Sequence, residues 1–296
     1  MIRLTLIVAT YNRAKQLMTT LHSVAQQECD ATLWECVVVD NNSKDDTRER
    51  VAAFIAAHPE LNIRYIFEGI QGLSAARNTG IVASQGDIIA FIDDDERIVP
   101  EFISAYIELF DTKEDAAAAG GAIIAEYPTG RPRWMSRYSE EPIANPMAFG
   151  ERIIPFPTHC IPGGGNMALR RSVLDRVGYF NTQLGRSGNR LIGGEESDLF
   201  ERLRQQGMKC YYVPRAVMYH IIGEEKLNKG YFSRLAYNTG VSQRSRAELH
   251  NRVVRLYIFE VVKWIATLLL TLVHRPAQSK YLLLMRYHIS RGILQK

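Results

Sequence analysis

Three consecutive aspartates, Asp93 to Asp95, directly follow the apolar run IIAFI at residues 88–92. Adjacent carboxylates repel one another, so the cluster needs either solvent or a cation. If the extended geometry continues, Asp93 and Asp95 point to the same side of the chain, because side chains alternate along a strand. Two such carboxylates can bind Mg²⁺ or Mn²⁺, and the ion can bridge diphosphate oxygens. A solvated turn, with Glu96 as a fourth charge, is the alternative.

A second acidic cluster, Glu195, Glu196 and Asp198, follows the paired glycines at 193–194. Glycines predict a flexible loop that can bring a carboxylate against a substrate. A carboxylate within hydrogen-bond reach of a hydroxyl can act as a general base. Acids at the start of a helix also complement its dipole, so a structural role stays open.

Three further residues are ambiguous when each is considered alone. Asp40, at the end of ECVVVD, can bind a ribose or base edge, or cap the next helix. Arg77, in GLSAARNTGI, suits a diphosphate or a nucleobase, or a structural ion pair. His220 follows the last predicted strand, and it is either structural or a metal ligand beside the aspartates.

Regular alternation of strands and helices in the first half must position these residues. It predicts an α/β domain with a mainly parallel, Rossmann-like sheet flanked by helices. Ligands bind beyond the carboxyl ends of such strands, so Thr10, Asp40 and the aspartates should share one sheet edge. The predicted strands are 4–9, 35–40, 63–67, 88–92 and one within 116–125, and the predicted helices are 15–27, 45–57, 73–84 and 100–110.

The middle of the chain departs from this alternation. Residues 126–162 hold seven prolines, which predict a loop-rich segment that belongs to the substrate cleft. A glycine turn, a short strand and a helix are predicted over 162–180. A helix over 193–207 and a strand over 209–214 follow.

The segment from Lys226 to Lys296 is basic, with 13 Lys and Arg against two Glu. Its apolar stretch, 256–273, is interrupted by Glu260 and Lys263, and a membrane-spanning helix needs about 20 apolar residues. We therefore expect helices that lie in the interface of an anionic membrane. A face for helix packing or oligomerisation is the alternative.

Composition excludes several other classes of protein. The chain is 46% hydrophobic and 23% charged, as in ordinary soluble proteins. The first apolar run, LTLIVA, is too short for a secretory signal, so cytoplasmic synthesis is expected. The four cysteines form no CxxC pair and are expected to be reduced thiols. No phosphate-binding P-loop motif occurs, and we expect no nucleic-acid partner.

The motifs occur in an order that resembles the family 2 glycosyltransferases of GT-A fold. The resemblance extends from about residue 3 to residue 220. It implies transfer of a sugar from a nucleotide-sugar donor, with inversion and with a divalent cation, Mn²⁺ or Mg²⁺. The motifs that carry it are VATYNR, VVVDNNS, GLSAARNTGI, FIDDDE, GGGNMALRR, GGEESDLFERLRQQG and VPRAVMYH.

The resemblance also implies roles for the donor-side residues. Thr10, Asp40 and Arg77 are expected to line the nucleotide site. The ribose or the diphosphate is expected to contact Asp93 and Asp94. The metal is expected at Asp95, with Asp93 and His220 as further ligands.

The acceptor side is less fully specified by the resemblance. The family commonly has Glu-Asp where this chain has Glu195-Glu196, and the second residue is usually the base. Glu196 is therefore the predicted base, with Glu195 as the alternative. Gly164 and Asn166 are expected to face the donor sugar or the acceptor. Trp134 either stacks on a sugar ring or anchors a core or loop.

These expectations combine into one hypothesis. Residues 1–225 form the transferase domain, with a donor half at about 1–125 and an acceptor half at about 126–225, and 226–296 form a helical extension. The donor is a UDP-sugar, and the acceptor is a glycan or a lipid-linked sugar in surface polysaccharide or glycolipid biosynthesis. The enzyme is peripheral on the inner face of the cytoplasmic membrane.

Two alternatives stay open. A sugar nucleotidyltransferase also uses a metal at a strand end, but the loop after its first strand should contain glycine, and ATYNRAKQ does not. A nucleotide-sugar-binding protein without activity is the other, since Glu-Glu replaces Glu-Asp.

Overall fold

The computed structural model describes residues 1–186 and 193–295. The chain forms two compact units. The first contains residues 1–124, 147–183 and 195–221, and the second contains the described parts of 125–146, 184–194 and 222–296. The predicted division at residue 225 stays a prediction, and residues 187–192 of the predicted acceptor half lie outside the described ranges.

A mixed sheet forms the centre of the first unit. Among the described residues it has nine strands, β1 to β9, which are Leu4–Thr10, Trp34–Asp40, Ile63–Phe67, Ile88–Asp93, Glu96–Ile98, Ala116–Glu126, Ile154–Pro155, Met167–Arg170 and Lys209–Ile221. Their order in the sheet is β3-β2-β1-β4-β8-β6-β9-β5, with β7 paired to β9.

Strands β1 to β4 form the parallel half of the sheet, as predicted. Strand β1 is completely buried between β2 and β4, which explains its continuous apolar sequence. Thr10 is in register with Asp40 of β2, and Ala9 is in register with Asp93 of β4. The prediction that these side chains share one edge is confirmed.

The other half of the sheet contains antiparallel pairs, whereas the predicted parallel pairing is observed among β1 to β4. Strand β8 runs antiparallel to both β4 and β6, and β5 pairs antiparallel with β9. The prediction that the last strand ends at Pro214 was wrong, because β9 continues to Ile221. Proline is tolerated where a strand needs no ladder donor. His220 consequently lies within β9, opposite Glu96.

Six of the described helices belong to the first unit with the sheet, and the other four form most of the second unit. Predicted helix starts in the first half lie within two residues of the observed ones. Helices α1 to α10 are Ala14–Ala25, Thr47–Ala57, Leu73–Ala83, Phe102–Thr112, Arg137–Ala144, Arg171–Val177, Glu195–Gln205, Lys229–Leu249, Val253–Val273 and Pro276–Leu294.

Within the second unit, α8 and α10 cross at unusually short distance. A Cβ atom on Gly240 would lie 2.1 Å from the carbonyl oxygen of Ile289, and one on Gly292 would lie 2.1 Å from that of Tyr237. Only glycine permits this backbone approach. None of the described helices combines the length and apolarity needed to span a membrane.

Asn166 has a structural role in the first unit. It is completely buried. Its Oδ1 accepts a hydrogen bond of 2.5 Å from the Tyr106 hydroxyl, and its Nδ2 donates to the carbonyl oxygens of Ala122 and Ala216 at 2.9 Å each. The amide of Asn166 is thus fully bonded within the fold, and its expected place near the donor sugar or the acceptor stays a prediction.

Replacing Asn166 with alanine should lower the free energy of unfolding by about 2–3 kcal/mol, because buried carbonyl groups would lose their donors. Denaturant unfolding measures the effect. Ser104→Ala, on the neighbouring helix α4, is the control and should change it by less than about 0.5 kcal/mol. Equal small effects for the two variants would contradict the assigned structural role.

Candidate active site

Arg77 of α3 is the centre of the site in the first unit. Its guanidinium is buried, with only 2% of the side chain exposed. It donates from Nη1 to Oε1 of Glu196 at 3.0 Å and to Oε1 of Glu195 at 3.4 Å, and from Nη2 to Oδ1 of Asp93 at 3.1 Å. One cation thus joins the end of β4 to the start of α7.

The electrostatics of this cluster keep Arg77 charged. Burial alone would lower the pKa of Arg77, but the nearby charges of Glu196, Asp93 and Glu195 outweigh it, and the pKa is raised. The guanidinium also lies over the ring of Phe180, 5.5 Å from its centroid. A buried cation with several carboxylate partners meets the requirement that buried charges be paired.

The glycine turn before β8 approaches both carboxylate groups of the site. A Cβ atom on Gly164 would lie 2.0 Å from Oε1 of Glu196 and 2.7 Å from Nη2 of Arg77. A Cβ atom on Gly165 would lie 2.0 Å from Oε1 of Glu96. Gly164, predicted to face a sugar, therefore packs against the predicted base and its guanidinium partner.

Arg13, just before α1, binds the second and third aspartates of the triplet. Its Nη1 lies 3.0 Å from Oδ1 of Asp94 and 2.8 Å from Oδ2 of Asp95. Thr10 donates from its hydroxyl to Oδ2 of Asp94 at 2.8 Å. The repulsion among adjacent carboxylates is thus offset by two arginines, with Arg77 on Asp93 and Arg13 on its two neighbours.

Burial affects the acids of this turn strongly. Desolvation raises the pKa of Asp94 to about 6, although Arg13 opposes the shift. Burial also raises the pKa of Glu96 well above its ordinary value, and the charges of Asp93 and Asp95 add to this. Glu96 accepts a hydrogen bond of 2.7 Å from the backbone N–H of Asp93, so it fixes the turn in which the aspartates lie.

Asp95 and His220 are the pair that fits a divalent cation. Oδ1 of Asp95 lies 3.8 Å from Nε2 of His220. Two ligands that are each about 2.1 Å from one ion can be at most about 4.2 Å apart, so both atoms can reach the same ion. The described residues contain no cluster of three or more candidate ligand side chains, so substrate oxygens or water would complete the coordination.

Asp40 lies at the same edge but has local partners. Its Oδ1 accepts from the backbone N–H of Ser43 at 2.8 Å, and its Oδ2 accepts from the Tyr65 hydroxyl at 2.7 Å. The bond to Ser43 closes a turn before α2, whose N-cap is Asp46, so Asp40 does not cap that helix. A role in nucleotide binding stays a prediction.

Trp134 is part of the core of the second unit. Its ring stacks on that of Tyr281, with centroids 4.0 Å apart, and meets Phe232 edge-on. The core or loop-anchor alternative is thus observed, while a role in sugar binding stays untested.

Sequence reasoning missed the contributions of Arg13, Glu96 and Tyr65. Arg13 lies three residues after Thr10 and so near the end of β1, which was the available signal. Glu96 was considered only as an extra charge of a turn. Tyr65 belongs to β3, and its contact with Asp40 follows from the β2–β3 pairing.

Arg77→Ala should lower the free energy of unfolding by about 3–5 kcal/mol, because it leaves buried carboxylates without a counter-charge. Adding Glu195→Gln should recover part of the loss. Denaturant unfolding of the single and double variants tests this. Arg50→Ala, which breaks an exposed pair with Asp46, is the control and should cost at most about 1 kcal/mol.

Solved structures share this fold. Mannosyltransferase PcManGT from Pyrobaculum calidifontis, in complex with GDP-Man and Mn²⁺, matches with a TM-score of 0.64 and 18% identity over 99% of this chain and 87% of that one. TarS residues 1–349 from S. aureus, in complex with UDP-GlcNAc, match with a TM-score of 0.59 and 20% identity over 81% of this chain. The chain covers 66% of that TarS chain.

Sequence comparison gives the family. A glucosyl-dolichyl phosphate glucuronosyltransferase from Haloferax volcanii is 24% identical over 252 residues, which cover 82% of this chain and 76% of the relative. The family model described as glycosyl transferase family 2 matches residues 5–178. That match includes Arg13, Arg77 and the aspartate triplet, and it covers more than half of the chain. The chain belongs to glycosyl transferase family 2 and is a glycosyltransferase of GT-A fold.

Proposed function

We propose that this glycosyltransferase inverts the anomeric carbon as it moves a sugar from a nucleoside diphosphate to a hydroxyl acceptor. The observation that carries the proposal is the arrangement around Arg77. It places the first aspartate of the triplet and the carboxylates of Glu195 and Glu196 on one guanidinium. Groups suited to the donor and a group suited to the acceptor hydroxyl are therefore held by a single side chain.

The donor binds at the carboxyl edge of β1, β2 and β4. Thr10, Asp40 and Arg77 line the nucleotide site there, and Asp93 and Asp94 lie on the ribose or diphosphate side. Arg13 adds a cation, 35% exposed, that suits the diphosphate. A UDP-sugar is the proposed donor, and the related complexes with UDP-GlcNAc and GDP-Man make both bases candidates for testing.

Glu196 is the general base. Its side chain is 20% exposed, against 3% for Glu195, so it is the more accessible to an acceptor hydroxyl. It removes the proton of that hydroxyl while the oxygen attacks the anomeric carbon. The bond to the diphosphate oxygen breaks on the opposite face, and the nucleoside diphosphate leaves with that electron pair. This requires no protein nucleophile.

A divalent cation fits between Asp95 and His220. When bound, Mn²⁺ or Mg²⁺ supplies Lewis acidity at the diphosphate oxygens. Arg13 holds the other oxygen of Asp95, and so orients Oδ1 toward His220. Asp93 is less suited to join this site, because its Oδ1 is bound to Arg77.

The acceptor is a glycan or a lipid-linked sugar in surface polysaccharide or glycolipid biosynthesis. The relative from Haloferax volcanii, which acts on glucosyl-dolichyl phosphate, supports a lipid-linked class. The proposed location is the inner face of the cytoplasmic membrane, as a peripheral protein.

Glu196→Gln should keep donor binding and lower the transfer rate by about 10²–10⁴-fold, because the general base is lost. Donor binding is measured by calorimetry and transfer by release of the nucleoside diphosphate. Glu201→Gln, on the same helix, is the matched control and should retain activity. If Glu195→Gln is inactive and Glu196→Gln is active, the two roles are exchanged. If all three variants match the wild type, none of Glu195, Glu196 and Glu201 is the base.

Asp95→Asn should abolish the stabilisation that Mn²⁺ gives to the donor complex, because a charged ligand is lost. A panel of UDP- and GDP-sugars, screened by thermal shift with and without Mn²⁺, measures it. A donor at about 100 times its Kd should stabilise the wild type by about 2.7 kcal/mol. Asp87→Asn, before the opposite end of β4, is the control. Unchanged Mn²⁺ dependence in Asp95→Asn would contradict the metal assignment.

A further inference from the structure

Helix α9 presents a broad apolar surface to solvent. Eleven of its large apolar side chains are exposed, among them Ile258, Val261, Ile265, Leu268, Leu269 and Leu272. Successive residues of a helix are about 100° apart around its axis. Tyr257, Ile258 and Phe259 are all exposed, so the exposed arc covers more than half of the helix circumference. Soluble proteins rarely expose so large a continuous apolar patch without a partner.

The opposite side of α9 is held against α10 by polar groups. Glu260 is the one acidic residue of α9, and it is buried. Arg286 donates to both of its oxygens, at 3.2 and 3.0 Å, and the Ser290 hydroxyl donates to Oε1 at 2.7 Å. Trp264 donates to the Ser290 hydroxyl at 2.8 Å. This network fixes the rotation of α9, so its acid faces inward and its apolar arc faces outward.

The charge of this surface favours an anionic membrane over a second copy of the chain as its partner. The exposed arc carries Arg255 and no acid, and Arg275 lies exposed just beyond its end. A symmetric pairing of two copies would place identical basic surfaces against each other, inside a segment with 13 basic and two acidic residues. An anionic lipid surface instead offers opposite charge to the basic residues and hydrocarbon to the apolar ones.

Orientation follows from the same contacts. None of the described helices is long and apolar enough to span a membrane, and α9 has a buried ion pair on its inner side. Its 21 residues are about 31 Å long, and the apolar arc continues along the whole length. Such a helix is suited to lie in the membrane plane.

We propose that α9 is an in-plane membrane helix whose outer arc enters the headgroup–acyl boundary of an anionic bilayer. The basic residues at its borders bind the lipid headgroups. This inference depends on the surface of the second unit, and it can hold or fail independently of the transfer reaction.

Vesicle flotation of the full chain tests the apolar contact. The wild type should bind vesicles of phosphatidylcholine and phosphatidylglycerol, and more weakly those of phosphatidylcholine alone. The double variant Ile265→Glu and Leu269→Glu should lose at least about tenfold in partitioning, because charges replace buried apolar area. Val82→Glu is the matched control, since Val82 is an exposed apolar residue of α3, and it should bind as the wild type does.

A second double variant tests the contribution of charge to vesicle binding. Arg255→Gln with Arg275→Gln leaves the apolar arc intact and should weaken binding to the anionic vesicles by about 25-fold, at about fivefold per charge. Binding to phosphatidylcholine alone should change little. Circular dichroism should show the same helical content for every variant.

Three outcomes would overturn the proposal. The first is flotation of the Ile265→Glu and Leu269→Glu variant at the wild-type level. The second is absence of wild-type binding to anionic vesicles. The third is a wild-type dimer in light scattering that the double variant disrupts without any vesicle binding, which would assign the arc to a second copy of the chain.

Discussion

The buried guanidinium of Arg77 is the interaction on which the site depends. It compensates carboxylates from two segments of the chain. Glu195 lies 118 positions after Arg77, and Asp93 lies 16 positions after it. A buried pair of this kind adds little net stability relative to apolar packing, whereas loss of one partner is costly. Arg77 therefore acts chiefly as a specificity element, which fixes the end of β4 relative to the start of α7. The position of the predicted base follows from it.

Arg13 extends the same arrangement along the aspartate turn. Asp94 and Asp95 share its Nη1, and Thr10 adds a hydrogen bond to Asp94. Arg13 and Thr10 thus offset the negative charge at Asp94 and Asp95. His220 faces the outer oxygen of Asp95 because β9 continues past Pro214 and brings it opposite Glu96. The sheet and the two arginines together define this edge of the first unit.

The sequence was sufficient to predict those features of the fold that follow from hydrophobic periodicity and from parallel strand pairing. The edge shared by Thr10, Asp40 and Asp93 followed from strand alternation alone, because parallel strands in register end together. The meeting of Arg77 with Glu195 and Glu196 did not follow, since it depends on an antiparallel strand and a glycine turn that periodicity does not reveal. The hydrogen bonds of Asn166 did not follow from sequence for a similar reason, because its partners come from a helix and two other strands.

Gly164 has a consequence for how this site can vary. The absent Cβ provides the space into which the carboxylate of Glu196 extends, and that carboxylate is one methylene longer than the aspartate common at this position in the family. The size of the residue at 164 and the length of the side chain at 196 are therefore coupled, because both groups would occupy the same space. A Cβ atom at 164 would also lie 2.7 Å from Nη2 of Arg77, so positions 77, 164 and 196 should be exchanged together when sites of related chains are grafted onto this one.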